Sequence, residues 1–237
     1  MTVIREGNLL YKVLSDNTVG VGGYNSSELR NAIPDGETCP YSLVIPPYIN
    51  NNQYEVTEIL TNSLRGCAIH HIELPETLKY IRNMGMSDLY IKELIIPSSV
   101  EVLERYSISG MKKCKRIVFV LGSKIKEIGF GSMDRNLIET IVIPNTVEIF
   151  STDIFYACKN LKTIYMCATN IKTKPSGILN GAPENINIYV PSSYKEDTFD
   201  GRPVTKVNYC GYIMPDINRH KTCNTQRPIR TSFSSFL

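Results

Sequence analysis

Apolar residues recur along the chain in a fixed phrase: an aliphatic residue, two variable positions, an aliphatic residue, one variable position, an apolar residue, and then a slot often filled by proline. The phrase is seen in Ile69-x-x-Ile72-x-Leu74-Pro75, Ile91-x-x-Leu94-x-Ile96-Pro97 and Ile138-x-x-Ile141-x-Ile143-Pro144, with a shorter form at Leu43-Val44-Ile45-Pro46. It continues at Cys114-x-x-Ile117-x-Phe119-Val120, Leu161-x-x-Ile164-x-Met166-Cys167 and Ile188-x-Val190-Pro191. The slot after each phrase falls at positions 46, 75, 97, 120, 144, 167 and 191, so successive gaps are 29, 22, 23, 24, 23 and 24 residues. A unit this short cannot bury its own apolar face, which predicts a solenoid in which neighbours bury each other's cores. Alternation inside each phrase predicts one short strand per unit, and proline is tolerated where the strand ends.

After the slot come two apolar residues three apart, as in Val100 and Leu103, Ile125 and Ile128, or Val147 and Phe150. A second turn follows, closing on segments such as Leu64-Arg65-Gly66-Cys67 and Phe155-Tyr156-Ala157-Cys158. This predicts an α/β repeat solenoid with a curved parallel sheet, one short strand plus an irregular or short helical return per unit of about 23 residues. Segments 129–136 and 172–185 fit the return pattern poorly.

The combined pattern of strand, post-strand proline and closing Phe-x-x-Cys resembles the BspA-like leucine-rich repeat family over roughly residues 42–191. The resemblance implies a leucine-rich-repeat fold of six to seven repeats and an interaction protein, often an adhesin at a microbial cell surface that binds host or matrix proteins.

The ends depart from the repeat. Residues 1–41 carry Leu9–Leu14 and Val19–Val21 around a polar Ser15–Thr18 turn, the pattern of a hairpin that caps the first repeat. The repeats are expected over 42–196. A C-terminal cap and basic tail are expected over 197–237, mobile from about 211, because that stretch has no hydrophobic period.

Composition adds limits. The 237 residues are 42% hydrophobic and 21% charged, which excludes a wholly disordered chain. No run of apolar residues is long enough to predict a membrane span. The net charge of +3 divides unevenly: residues 201–237 hold six Lys/Arg and one acid, leaving 20 basic and 22 acidic residues before them. Those six basic residues are too thinly spaced for a polybasic cluster, so no nucleic-acid partner is expected. The segment MTVIREGNLLYKVLSDN lacks the pattern of a secretory signal, which points to the cytosol, whereas the family resemblance points to the cell surface. Asn25-Ser26-Ser27 is a glycosylation sequon that matters only for an exported chain.

Candidate chemistry is sparse. The seven cysteines are odd in number, widely spaced and without a CxxC pair, so neither a zinc site nor a disulfide scaffold is expected. Cys67 with His70 and His71 invites a dyad reading, but Cys67 fills the repeat slot of Leu89, Met111 and Cys158, and a buried thiol is the simpler expectation. Gly20-Val21-Gly22-Gly23 lacks the lysine of a phosphate loop. The pairs Glu55 with Glu58 and Glu101 with Glu104 fall on return segments and predict no convergence. No catalytic residue, metal or cofactor is assigned.

The strand surface carries more. Alternation turns Val44, Glu73, Ile95, Val118, Val142, Tyr165 and Tyr189 outward, six of seven apolar or aromatic, beside a polar column of His71, Glu93, Arg116, Thr140, Thr163 and Asn187. An exposed apolar stripe with a polar margin and tyrosines is how a binding face reads. The same residues are also ordinary strand formers. The sequence therefore predicts a non-catalytic module, monomeric, binding a protein or peptide on the concave sheet. An adhesin-like surface protein and a structural subunit of a larger assembly are the alternatives.

Overall fold

Leu43, Ile72, Leu94, Ile117, Ile141, Ile164 and Ile188 are each buried at the heart of a short strand, and their stacking sets the plan of the molecule. The computed structural model describes residues 2–23, 25–172 and 176–208; the stretch expected to be a mobile tail lies outside them.

The strands in chain order are β1 (Val3–Glu6), β2 (Leu9–Ser15), β3 (Thr18–Val21), β4 (Ser42–Val44), β5 (Tyr48–Ile49), β6 (Tyr54–Ile59), β7 (His71–Glu73), β8 (Tyr80–Ile81), β9 (Glu93–Ile96) and β10 (Val102–Leu103). They continue as β11 (Arg116–Phe119), β12 (Glu127–Ile128), β13 (Thr140–Ile143), β14 (Ile149–Phe150), β15 (Thr163–Met166), β16 (Asn187–Pro191), β17 (Thr198–Phe199), β18 (Arg202–Pro203) and β19 (Thr205–Val207). The strands of the repeated phrase form the principal ladder, three parallel sheets in succession: β4 with β7, β9 with β11, and β13-β15-β16-β19.

The return is not helical. Where a short helix was one expectation, the chain lays down a second parallel ladder, β6-β8-β10-β12-β14, mostly of two-residue strands. Its inward residues are Ile59, Ile81, Leu103, Ile128 and Phe150, all buried. At its N-terminal edge β3 pairs with β6, and β1, β2 and β3 form an antiparallel meander.

The third side explains the missing helix. Each repeat turns on two left-handed residues four apart: Asn62 and Gly66, Met84 and Asp88, Tyr106 and Gly110, Gly131 and Arg135, Asp153 and Ala157, Gly177 and Gly181. A left-handed residue costs about 1–2 kcal/mol when it is not glycine and cannot sit inside a right-handed helix. Met84 (φ 54°) and Tyr106 (φ 53°) are held there because the N–H groups of one turn donate to the carbonyls of the next, as in Met86 to Ser107 at 2.9 Å and Ile108 to Ser132 at 3.0 Å. Residues 129–136, and residues 176–185 of the segment 172–185, which fit poorly as sequence, make this same turn. Glycine is required at 131, since a Cβ there would lie 2.3 Å from the Tyr106 ring.

Candidate functional site

Register places the outward residues of the principal ladder in columns. Val44 lies opposite Glu73, Val118 opposite Ile95, and Val142 opposite Tyr165, which in turn lies opposite Tyr189. The Tyr165 and Tyr189 rings stack with centroids 5.2 Å apart and planes 18° apart. In the polar column Glu93 accepts an ion pair from Arg116 at 2.7 Å, and Thr140, Thr163 and Asn187 follow in register. His71 lies 3.1 Å from Glu73, which joins the two columns at the N-terminal end.

Exposure along the stripe is uneven, and this corrects the sequence reading. Val44 and Ile95 are 61% and 44% exposed, but Val118 and Val142 are each only 9% exposed, and the tyrosines are half-buried. Strands a few ångströms apart crowd their side chains, so a short β-branched group beside Ile95 or Tyr165 loses most of its access to water. The stripe is therefore open near β4 and β9, closed in the middle, and aromatic at β15 and β16.

A scan against family models matches the BspA type leucine rich repeat region in six copies over residues 48–162. Residues 48–162 are BspA-type leucine-rich repeats. Among solved structures the chain is similar to a T. pallidum leucine-rich-repeat protein, TpLRR, at 16% identity and a TM-score of 0.54, covering 85% of this chain and 97% of that one. It is similar also to the pneumococcal vaccine antigen PcpA, at 20% identity and a TM-score of 0.52, covering 86% of this chain and 48% of the antigen. The chain thus spans about half the length of the antigen, and the likeness is one of fold. A search of curated proteins finds no match.

The repeats bring together residues that were read as separate. Cys67 is not a free thiol: it forms a disulfide with Cys39, Cα atoms 5.5 Å apart, against the expectation of no disulfide. The repeat slot concealed it, because its equivalents Leu89, Met111 and Cys158 are ordinary buried residues. The neighbouring histidines part as alternation requires. His70 stacks on Tyr41 at 4.3 Å, while His71 turns to Glu73. Burial pushes the free thiols of Cys114 and Cys158 up to about 11 and 12, so both stay protonated at neutral pH.

One carboxylate from each of the two pairs meets a shared cation. Glu58 and Glu104 both bind Arg82, each at 2.7 Å, and the guanidinium lies 4.4 Å from the centre of the Tyr80 ring. These residues stand 24 and 22 positions apart, one repeat each, so the period itself was the signal that could have found them. In the slot of Cys67, the fourth repeat places Asn136. Its side chain accepts from the Met111 N–H at 2.9 Å and donates to the Ile108 and Met133 carbonyls at 3.0 Å, tying two repeats together inside the core.

Proposed function

We propose that this is a non-catalytic module that binds a protein or peptide along the outward face of the principal ladder, without a cofactor. The observation that carries the reading is the stacked Tyr165–Tyr189 pair beside Thr140, Thr163 and Asn187. Aromatic side chains already ordered by stacking lose little entropy when a partner covers them, and tyrosines inside a polar margin are where interfaces concentrate binding energy. Leucine-rich repeats are in general not enzymes and bind proteins, which agrees with this assignment. Presentation at the cell surface is part of the proposal. The Cys39–Cys67 disulfide supports it, because such bonds persist in oxidising compartments, and so does the likeness in fold to a pneumococcal vaccine antigen. No helix among the described residues is long and apolar enough to cross a membrane.

The test is affinity capture with wild type and with the Tyr165→Ala, Tyr189→Ala double variant, followed by titration of the captured partner after its purification. Loss of two hot-spot rings should weaken binding about thirtyfold or more, corresponding to about 2 kcal/mol or more, with little change in melting temperature. Equal affinity in a folded double variant would place binding elsewhere.

A further inference from the structure

A solenoid exposes strand edges at its ends, and the two N-terminal edges of this molecule are treated differently. β3 pairs with β6 and covers the return ladder, whereas β4, the first strand of the principal ladder, pairs on one side only, with β7. The bonds on that side determine which groups are left over. Ile45 donates its N–H to the Glu73 carbonyl at 3.0 Å, and His71 donates its N–H to the Tyr41 carbonyl at 3.3 Å. Residues 41, 43 and 45 therefore turn toward β7, and strand alternation turns the N–H and C=O of Ser42 and Val44 to the open side. Among the described residues nothing bonds them there. The open edge adjoins a groove of about 440 Å³, which β4 and the cap residues Glu6, Asn8, Leu9 and Tyr11 line together.

We propose that this groove takes an extended, basic peptide segment of a partner protein, which adds to β4 as a further strand. Ser42 and Val44 offer two donors and two acceptors in strand register, the main-chain recognition on which β-augmentation rests. The groove is of the size of a ligand site, and the cap residues Glu6, Asn8, Leu9 and Tyr11 form its other wall. Its one charged lining residue is Glu6, whose carboxylate is fixed by accepting the Asn50 N–H at 2.7 Å. An acid in the groove beside the open strand edge selects lysine or arginine at the position facing it. Exposed Val44 supplies apolar contact beside this charge. The site lies at the opposite end of the ladder from the Tyr165–Tyr189 pair and does not rest on the function proposed for it.

The experiment uses the full chain and two fluorescent seven-residue peptides, one alternating lysine with valine and one alternating glutamate with valine, followed by anisotropy at physiological salt. Val44→Pro removes the N–H on the open side while keeping an apolar side chain, a substitution that edge strands tolerate, and leaves the bonds from residues 41, 43 and 45 to β7 in place. Glu6→Lys reverses the charge of the groove without touching β4. The expected result is saturable binding of the lysine peptide alone, weakened at least tenfold by Val44→Pro, with preference moved toward the glutamate peptide by Glu6→Lys. Amide exchange should slow at residues 42 and 44 when the lysine peptide is added, a readout that holds the proposal to account even where Val44→Pro does not fold. Binding unchanged in both folded variants, absence of saturable binding, or unprotected amides at 42 and 44 would each overturn it. A wild-type dimer in sedimentation that Val44→Pro dissociates would assign the edge to a second copy and also overturn it.

Discussion

The principal and return ladders run side by side through the same repeats, yet they present opposite surfaces. On the return ladder the outward side is already occupied by protein: Glu58, Arg82 and Glu104 satisfy one another across three repeats, Tyr80 lies over the guanidinium, and β3 covers the first edge. On the principal ladder the outward columns hold exposed Val44 and Ile95, a tyrosine stack and a single cross-strand ion pair, and the first edge is open. Two ladders with one period thus separate the work, the return ladder fastening repeat to repeat and the principal ladder facing outward. The difference extends to how each ladder begins, since β6 is secured by strand pairing whereas the segment before β4 is secured by the Cys39–Cys67 disulfide.

Reduction of that disulfide should have the largest effect. Closing a loop with a sequence separation of 28 residues restricts the unfolded chain by roughly 3–4 kcal/mol, so the melting temperature should fall on reduction or in Cys39→Ser. Amide exchange should rise in residues 42–45 while β6 keeps its protection. Equal loosening of both strands would break the contrast between the two beginnings.

A smaller effect separates the ladders by charge. Arg82→Met leaves Glu58 and Glu104 facing each other without their cation and should destabilise by about 1–2 kcal/mol in chemical denaturation. Arg116→Met, which removes one more open pair with Glu93, should cost less than about 1 kcal/mol. Equal costs would mean that the outward face of the principal ladder is as tightly fastened as the return.

The smallest effect belongs to the turn side. Burial raises the pKa of Asp134, against the Ser109 hydrogen bond and the charge of Arg135, which lower it. A carboxyl whose pKa is higher in the folded than in the unfolded chain favours folding at low pH and loses that contribution as pH rises from the unfolded value through the folded one. Asp134→Asn should therefore raise the melting temperature slightly at pH 7 and leave it unchanged at acid pH; a larger gain at acid pH would reverse the assignment.

The period and the buried strand centres were legible in the sequence, because Leu43, Ile72, Leu94 and their successors must be apolar in every repeat. The return ladder was not, since strands of two residues are too short to show alternation. The left-handed turns carry no uniform letter: glycine fills the position at 131 and 177, but asparagine, methionine, tyrosine and aspartate fill it elsewhere, each held by hydrogen bonds from the neighbouring repeat. The covered state of Val118 and Val142 depends on the height of side chains one repeat away, which alternation within a single strand does not reveal. The placement of Glu58, Arg82 and Glu104 was within reach, for residues one period apart are neighbours in a solenoid.

The hydrogen bonds that run from each turn to the next also govern how the molecule responds to a load. A chain pulled from its two ends would lose a terminal repeat first, because the two terminal repeats alone have a neighbouring repeat on one side only. Each such event would release about 23 residues, a gain of roughly 75–80 Å of extended chain. Tethered between two anchors, the solenoid would yield in even steps rather than all at once, behaving as a mechanical ratchet whose tooth is the repeat.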